Sequence, residues 1–391
     1  MGTPLDGVRV VELGQMITGP LAAQLLADMG ASVIKIENPE GGDLFRAFDG
    51  GRYGRSFISY NRNKRSLAVN LRHTEGKAIA LKLIGRADVL LDNFRPGVMD
   101  RLGLDRDTLA AANPRLIHAS ITGFGADGPY SQRPAFDTVG VALSGMGSLV
   151  FDPEDPQVSG PTLADNVTGM TACQGILAAL YERTRTGRGC RVEINMMEAM
   201  IAFMPDPFSN YYQTGTAQGL YTRSSASQSF ALRCSDGKLI ALHLSSPDKF
   251  WRGLLRAIGR PELGADARFT ERKDRTKHYQ MLRGELAKSF AQRPLAEWVV
   301  RLGAEDVPFA PVYSIEEVEH DSQVRHLGTF YEIDHPTQGP QRGIRPVLRF
   351  DGERGPVHSA APLLGEHTES VLAELGIGAE EIARLRAAGA L

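Results

Sequence analysis

The chain is poor in cysteine. Its 391 residues include only 3, Cys173, Cys190 and Cys234, set far apart. An odd number at that spacing supplies neither a disulfide framework nor a zinc-ligand pattern. Charge of one sign is lacking too: 44 Lys and Arg stand against 46 Asp and Glu, a net charge of −2. No basic field exists to draw in nucleic acid. Long apolar runs are missing. Even "VGVALSGMGSLVF" is short and broken by glycine, so no membrane span is expected. No apolar leader follows "MGTPLDGVRV", and the expected location is a reducing cytoplasm. There is no H-E-x-x-H or paired-histidine motif, so no metal is expected, and no G-x-S-x-G elbow of a serine hydrolase.

What is present suits a globular enzyme of two or three domains: 42% apolar and 23% charged residues, with 42 Gly and 22 Pro spread along the chain. The first 125 residues alternate strand and helix patterns. "VRVVEL" (8–13), "SVIKIE" (32–37), "DVLLDNF" (88–94) and "RLIHASIT" (115–122) read as buried strands. Between them, 19–30, 74–87 and 105–113 read as helices, Pro20 suiting a first turn and Gly30 a C-terminal cap. Such alternation predicts a parallel sheet with its ligand site beyond the strands' carboxyl ends. A helix over 168–184 and a strand running into a helix over 190–204 follow. The stretch 205–229, rich in Tyr, Ser, Thr, Gly and Gln without a period, reads as a linker. Residues 230–331 read as a small α+β domain opening on a hairpin turned at Asp236-Gly237. A Pro- and Gly-rich return passage then leads to helices over 366–376 and 379–389.

Gly123–Gly128 matches G-x-G-x-x-G directly after a strand. A dinucleotide fingerprint also needs a helix straight after it, to aim amides at the pyrophosphate. Here Pro129 and Pro134 follow within six residues, so the motif reads as a turning loop and NAD is not expected. Lys64, Arg65, Arg72, Arg95 and Arg101 cluster near strand ends. They suit phosphate oxygens, or equally a solvated basic face. Asp165 stands just before the predicted 168–184 helix. The commonplace role there is an N-cap. The functional one is a carboxylate at the positive helix end, able to act as nucleophile. His118, in mid-strand, reads as a core residue.

Taken in order, "PLDGVRVVEL", "GPLAAQLLADMGASVIKIENPEGGD", "NRNKRSLAVNL", "ADVLLDNFRPGVMDRLG", "NPRLIHASITGFGADGPYSQRPAFD", "LADNVTGMTACQGILAALYERTRTGRG" and "PLLGEHTESVLAELG" resemble the family III CoA-transferases. The resemblance implies a Rossmann-like large domain (1–204, completed by 332–391) around a small inserted domain, and a homodimer of interlocked ring-like subunits. It implies acyl-CoA and carboxylic acid substrates, with coenzyme A the moiety exchanged. Asp165 falls on the family's catalytic aspartate, and Asp137 on an acidic residue beside it. For CoA it implies Ile17 and Thr18 through their backbone, Arg72, Asn93, Phe94, Arg101 and Met196, with Lys64 and Arg65 nearby. Two departures, Ile17 in the first loop and no tetraglycine loop near "HLSSPDKF" (243–250), argue against formyl-CoA and oxalate as substrates. Alternatives on this fold are an α-methylacyl-CoA racemase and a catalytically silent acyl-CoA-binding dimer. The racemase pattern has a His before its Asp, where this chain has Phe136 before Asp137.

Overall fold

Six short runs rich in Val, Ile and Leu form one sheet in the computed structural model, which describes residues 3–391. They are β1 (Arg9–Glu12), β2 (Ser32–Glu37), β3 (Lys64–Ala68), β4 (Val89–Asp92), β5 (Ile117–Thr122) and β6 (Arg191–Asn195). All neighbours pair in parallel, in the order β3-β2-β1-β4-β5-β6. This is the doubly wound order of the Rossmann fold. Its direction reverses between β1 and β4, and a crevice opens there beyond the strand ends.

Helices cover both faces, since strands apolar on both sides must be buried on both. On one face Thr18–Asp28 and Ala164–Thr186 pack on Val10, Val33, Val89 and Ile117. Gly169 permits that approach: a Cβ there would lie 2.9 Å from the Thr18 carbonyl oxygen. On the other face Thr74–Ile84 and Arg106–Ala112 pack on Val11, Ile34 and Leu90. The same core buries Val371, Leu372 and Leu375 of Thr368–Glu374, and Ile382 and Leu385 of Ala379–Ala387. The chain's last segment thus returns to the edge of the first sheet. Asn63 fastens it by accepting from the amides of His358 and Ser359.

The chain divides into two units. The larger comprises Met1–Gly147, Gln157–Pro205 and Gly328–Leu391, the smaller Ser148–Pro156 and Asp206–Leu327. In the smaller unit β7 (Ser229–Arg233) and β8 (Leu239–His243) form the hairpin, with a third strand β9 (Phe309–Pro311) beside β8. Helices Asp248–Ile258, Tyr279–Phe290 and Leu295–Ala304 close its core around Trp251, Phe290 and Trp298.

Two expectations need correction. The stretch 205–229 is largely helical, as Pro205–Thr214 and Thr222–Ser227, rather than a linker. Neither helix buries a side chain within the chain, and the Ser-, Thr- and Gly-rich setting masks the helical spacing of Phe208, Tyr211 and Tyr212 in the first. The return passage holds an antiparallel hairpin, Phe330–His335 with Gly339–Ile344, where the sequence announces no strand. Its second strand, "GPQRGI", has little β-forming character.

Candidate active site

The loop after β1 builds one wall of the crevice. Gly14 and Gly19 touch across it: a Cβ on either would lie 3.0 Å from the other's Cα. Met16 has φ of 62°, a left-handed conformation unusual for a side chain of its size. Two side chains hold the loop in that shape. Asp43 accepts from the Met16 amide at 2.9 Å. Asn93, on the loop after β4, accepts from the Gln15 amide and donates to the Gln15 carbonyl and the Thr18 hydroxyl, at 2.8–2.9 Å. Both N–H groups of the Asn93 amide are therefore engaged with protein, and its side chain acts as a clamp on the first loop.

Behind the loop lies a buried charge network. Lys35 Nζ binds Glu12, Asp43 and the Gly14 carbonyl at 2.8, 2.9 and 2.6 Å. Lys64 Nζ binds Glu12, the Pro20 carbonyl and Asn61, at 2.8–2.9 Å. Arg46 forks onto Glu37 at 2.7 Å for each bond and lies on the Phe57 ring. Burial opposes the charge on Lys35, but Asp43, Glu12 and Glu37 outweigh it and hold its pKa above the ordinary value. Burial pushes Lys64 down to about 8 against the pull of Glu12. No strand pattern announces this network. Its sign in the sequence is a lysine inside the apolar run "SVIKIE" and an acid at the end of "RVVE".

The opposite wall comes from β5, β6 and the long helix. Ala164–Thr186 begins earlier than expected, so Asp165 is in its first turn and caps nothing with its side chain. Its backbone amide instead donates to Asp137 Oδ1 at 3.2 Å. Asp137 opens its own helix, Asp137–Leu143. Gly140 lets that helix lie against Met196 and Ala164, where a Cβ would fall 2.6–2.9 Å from their side-chain atoms. Burial, and after it the Asp137 charge, pushes the Asp165 carboxyl up to about 6. At neutral pH it is ionised yet more basic than an ordinary aspartate.

A crevice of about 360 Å³ joins these walls. Gln15 to Thr18, Asn93 to Pro96, Thr122, Gly123, Ser131, Arg133, Phe136, Asp165 and Met196 line it. A second recess shares Gln15, Phe94 and Val98 with the first and leads to Asn38, Asn70 and Arg72. Of the expected site residues, Ile17, Thr18, Asn93, Phe94, Asp165 and Met196 thus come together. Asp137 stands just behind Asp165, and Arg72 lies in the adjoining recess. Arg101 ends the short helix Val98–Arg101, whose Val98 lines both recesses, and its guanidinium lies 3.3 Å from a Cβ placed on Gly97; Arg101 itself is not among the lining residues of either. Lys64 and Arg65 do not join them. Lys64 is fully buried in the charge network, and Arg65 pairs with Glu374 at 2.6 Å beside the C-terminal helix. Both lie on β3 rather than on a loop. Gln15, Met16 and Arg133 also line the crevice and were not expected to bind anything there; Arg95, one of the clustered cations suited to phosphate oxygens, lines it too. His118 is buried and bonds Asp92 at 2.7 Å. Among the described residues, no group of three His, Cys, Asp or Glu could hold a metal ion. No helix among them is long and apolar enough to cross a membrane.

A doubly wound parallel sheet with a carboxylate-bearing crevice at its switch point places this chain among α/β proteins whose ligand site lies beyond the strand ends. The family model of CoA-transferase family III matches residues 5–368, and the chain belongs to that family. It is 35% identical to the β subunit of succinyl-CoA–L-malate CoA-transferase of Chloroflexus aurantiacus, over 98% of this chain and 97% of the relative. It is 33% identical to formyl-CoA:oxalate CoA-transferase of Shigella sonnei, over 99% of both. A CAIB/BAIF family protein from Brucella suis superposes with a TM-score of 0.85 at 33% identity, over 96% of this chain and 100% of that one.

Proposed function

We propose that the protein transfers CoA from an acyl-CoA thioester to a carboxylic acid, with Asp165 as the nucleophile. The observation that carries this is the half-buried Asp165 carboxylate on the crevice wall, basic enough to attack and still ionised at pH 7. Its oxygen adds to the thioester carbonyl, the C–S bond breaks, and CoA leaves as the thiolate, giving an acyl–aspartyl anhydride. The thiolate then attacks the aspartyl carbonyl and expels the donor acid, leaving an aspartyl–CoA thioester. The acceptor carboxylate runs the two steps backwards. Each addition builds an oxyanion that needs hydrogen-bond donors, and the anhydride must be kept from water. CoA itself lies along the first loop into the adjoining recess, its phosphates against Arg72 and Arg101. Two of the relatives act on succinyl-CoA with malate and on formyl-CoA with oxalate. Ile17 in the first loop argues against the formyl-CoA and oxalate pair here. The racemase reading draws no support from the crevice, where no histidine is found among the described lining residues.

The assembly we propose is a homodimer of interlocked subunits in the cytoplasm. The chain leaves the larger unit near Pro205 and re-enters it at Gly328, as such a ring requires. Incubation with a panel of acyl-CoAs and acids, with hydroxylamine as trap and mass detection, tests the chemistry. A hydroxamate on Asp165 and new thioesters are expected, and Asp165→Ala loses both. Turnover at the wild-type rate by a folded Asp165→Ala protein defeats the reading. Mixing differently tagged dimers tests the assembly: hybrids form only over many hours if separation requires unfolding, and hybrids within minutes refute it.

A further inference from the structure

Two arginines on the crevice wall, Arg95 and Arg133, form no ion pair with any carboxylate among the described residues. They lie on different loops. Arg95 follows β4, beside the rim shared with the Arg72 recess that takes the CoA phosphates in the proposed function. Arg133 follows β5, four residues before Asp137, whose carboxylate holds the Asp165 amide. In the sheet β5 stands between β4 and β6, one strand further from that recess than β4, and no residue after β5 lines the recess. Arg133 is therefore the cation on the acyl side of the nucleophile.

Its guanidinium is held in place without being neutralised. It lies over the Tyr130 ring at 4.1 Å, and Tyr130 in turn meets the Phe124 ring edge-on at 5.9 Å. Stacking of this kind orients the planar fork while leaving its N–H donors free. A fixed, unpaired fork near a reacting carbonyl is suited to bidentate binding of a carboxylate. The reacting carboxyl carbon is engaged at Asp165, as the thioester of the donor or the attacking carboxylate of the acceptor, so the carboxylate Arg133 receives is a second one on the same molecule.

We infer that Arg133 selects dicarboxylic acids and their mono-thioesters as substrates, by binding the carboxylate distal to the reacting carbonyl. The inference rests on the transferase reading for the placement of the acyl group. Succinyl-CoA and butyryl-CoA test it. Both carry four-carbon acyl chains, ending in a carboxylate in one and a methyl in the other. Binding is followed by calorimetry on the full chain in an Asp165→Asn background, so that no acyl transfer accompanies it. Arg133→Gln is expected to weaken succinyl-CoA roughly tenfold to a hundredfold, the scale of a charged hydrogen bond. Butyryl-CoA should change less than about twofold, and Arg133→Lys should recover part of the preference. An equal loss for both thioesters would make Arg133 a phosphate contact and overturn the inference, as would no loss for either. A parallel turnover assay on the Asp165-bearing protein separates the two readings. Preference for succinyl-CoA with no CoA transfer to any acid defeats the transferase and leaves Arg133 standing. Transfer with no dependence on the distal carboxylate does the reverse.

Discussion

Replacing Asp165 by Asn should stabilise the protein at alkaline pH while abolishing turnover. The fold holds this carboxyl at about 6 against an ordinary value of 3.8, by burial first and the Asp137 charge second. A tenfold change in an acid's dissociation constant corresponds to about 1.4 kcal/mol, so holding the carboxyl there costs on the order of 3 kcal/mol once it is ionised. The sign follows from proton counting. Between about pH 4 and 6 the folded chain keeps a proton that the unfolded chain has already released. Stability therefore falls as pH rises through that window, and the loss is complete above it. Asn has no such titration. Among the described residues the Asp165 side chain makes no hydrogen bond that Asn would forfeit; only its amide is engaged. Losing a negative charge in the first turn of a helix works the other way by about 0.5 kcal/mol. A net gain of about 2 kcal/mol is expected at pH 8, shrinking toward zero near pH 4. For a unit of this size that is a thermal midpoint raised on the order of 4 °C. Scanning calorimetry of both proteins across pH 4–8 measures it. An Asp165→Asn protein no more stable than wild type at pH 8, or a difference flat with pH, would refute the account of a strained nucleophile.

The pH profile of acyl-CoA consumption should rise toward a plateau through about pH 6, as Asp165 ionises. Asp137→Asn should move that limb down, because the Asp137 charge contributes to the raised value; an unmoved limb would show burial to be the whole cause. Gly169→Ala presses a methyl against the Thr18 carbonyl, and a cost of about 1–3 kcal/mol in denaturant titrations is expected. CoA binding should weaken alongside, as the first loop shifts. Lys35→Met strands Glu12 and Asp43 in the interior and should cost about 3–5 kcal/mol. Arg65→Met breaks a partly exposed pair with Glu374 and should cost under about 1 kcal/mol. Equal losses in these two variants would contradict the placement of Lys35.

Several parts of this architecture are written along the chain. Strands such as "DVLLDNF" and "RLIHASIT" bury both faces and read as apolar runs. The last two helices carry Val371, Leu372, Leu375, Ile382 and Leu385 at a helical period, because one face of each is covered. Pro129 and Pro134 by themselves ruled out a helix after Gly128. Ordered blocks around Asp165 made it the candidate nucleophile before any geometry was known. The strand and helix signals are local, since burial of one element imprints its period on that element alone, whereas Asp165 stood out through the resemblance of ordered blocks.

The tertiary structure decided what those patterns could not express. Lys64 and Arg65 look like phosphate ligands in "NRNKRS", yet they lie on β3, one inside the charge network and one on Glu374. Asn93 lines the crevice and also clamps Gln15 and Thr18, more than seventy residues away in sequence, which its local pattern does not announce. Asp137 reaches the Asp165 amide only because Gly140 lets its helix lie against Ala164. Arg133 shares a crevice with Asp165 because the loop after β5 and the start of the long helix meet on one wall. Such meetings follow from strand order and from how closely the backbones can approach. A pattern of residue types records whether each side chain is buried, and leaves open which distant loop it is buried against.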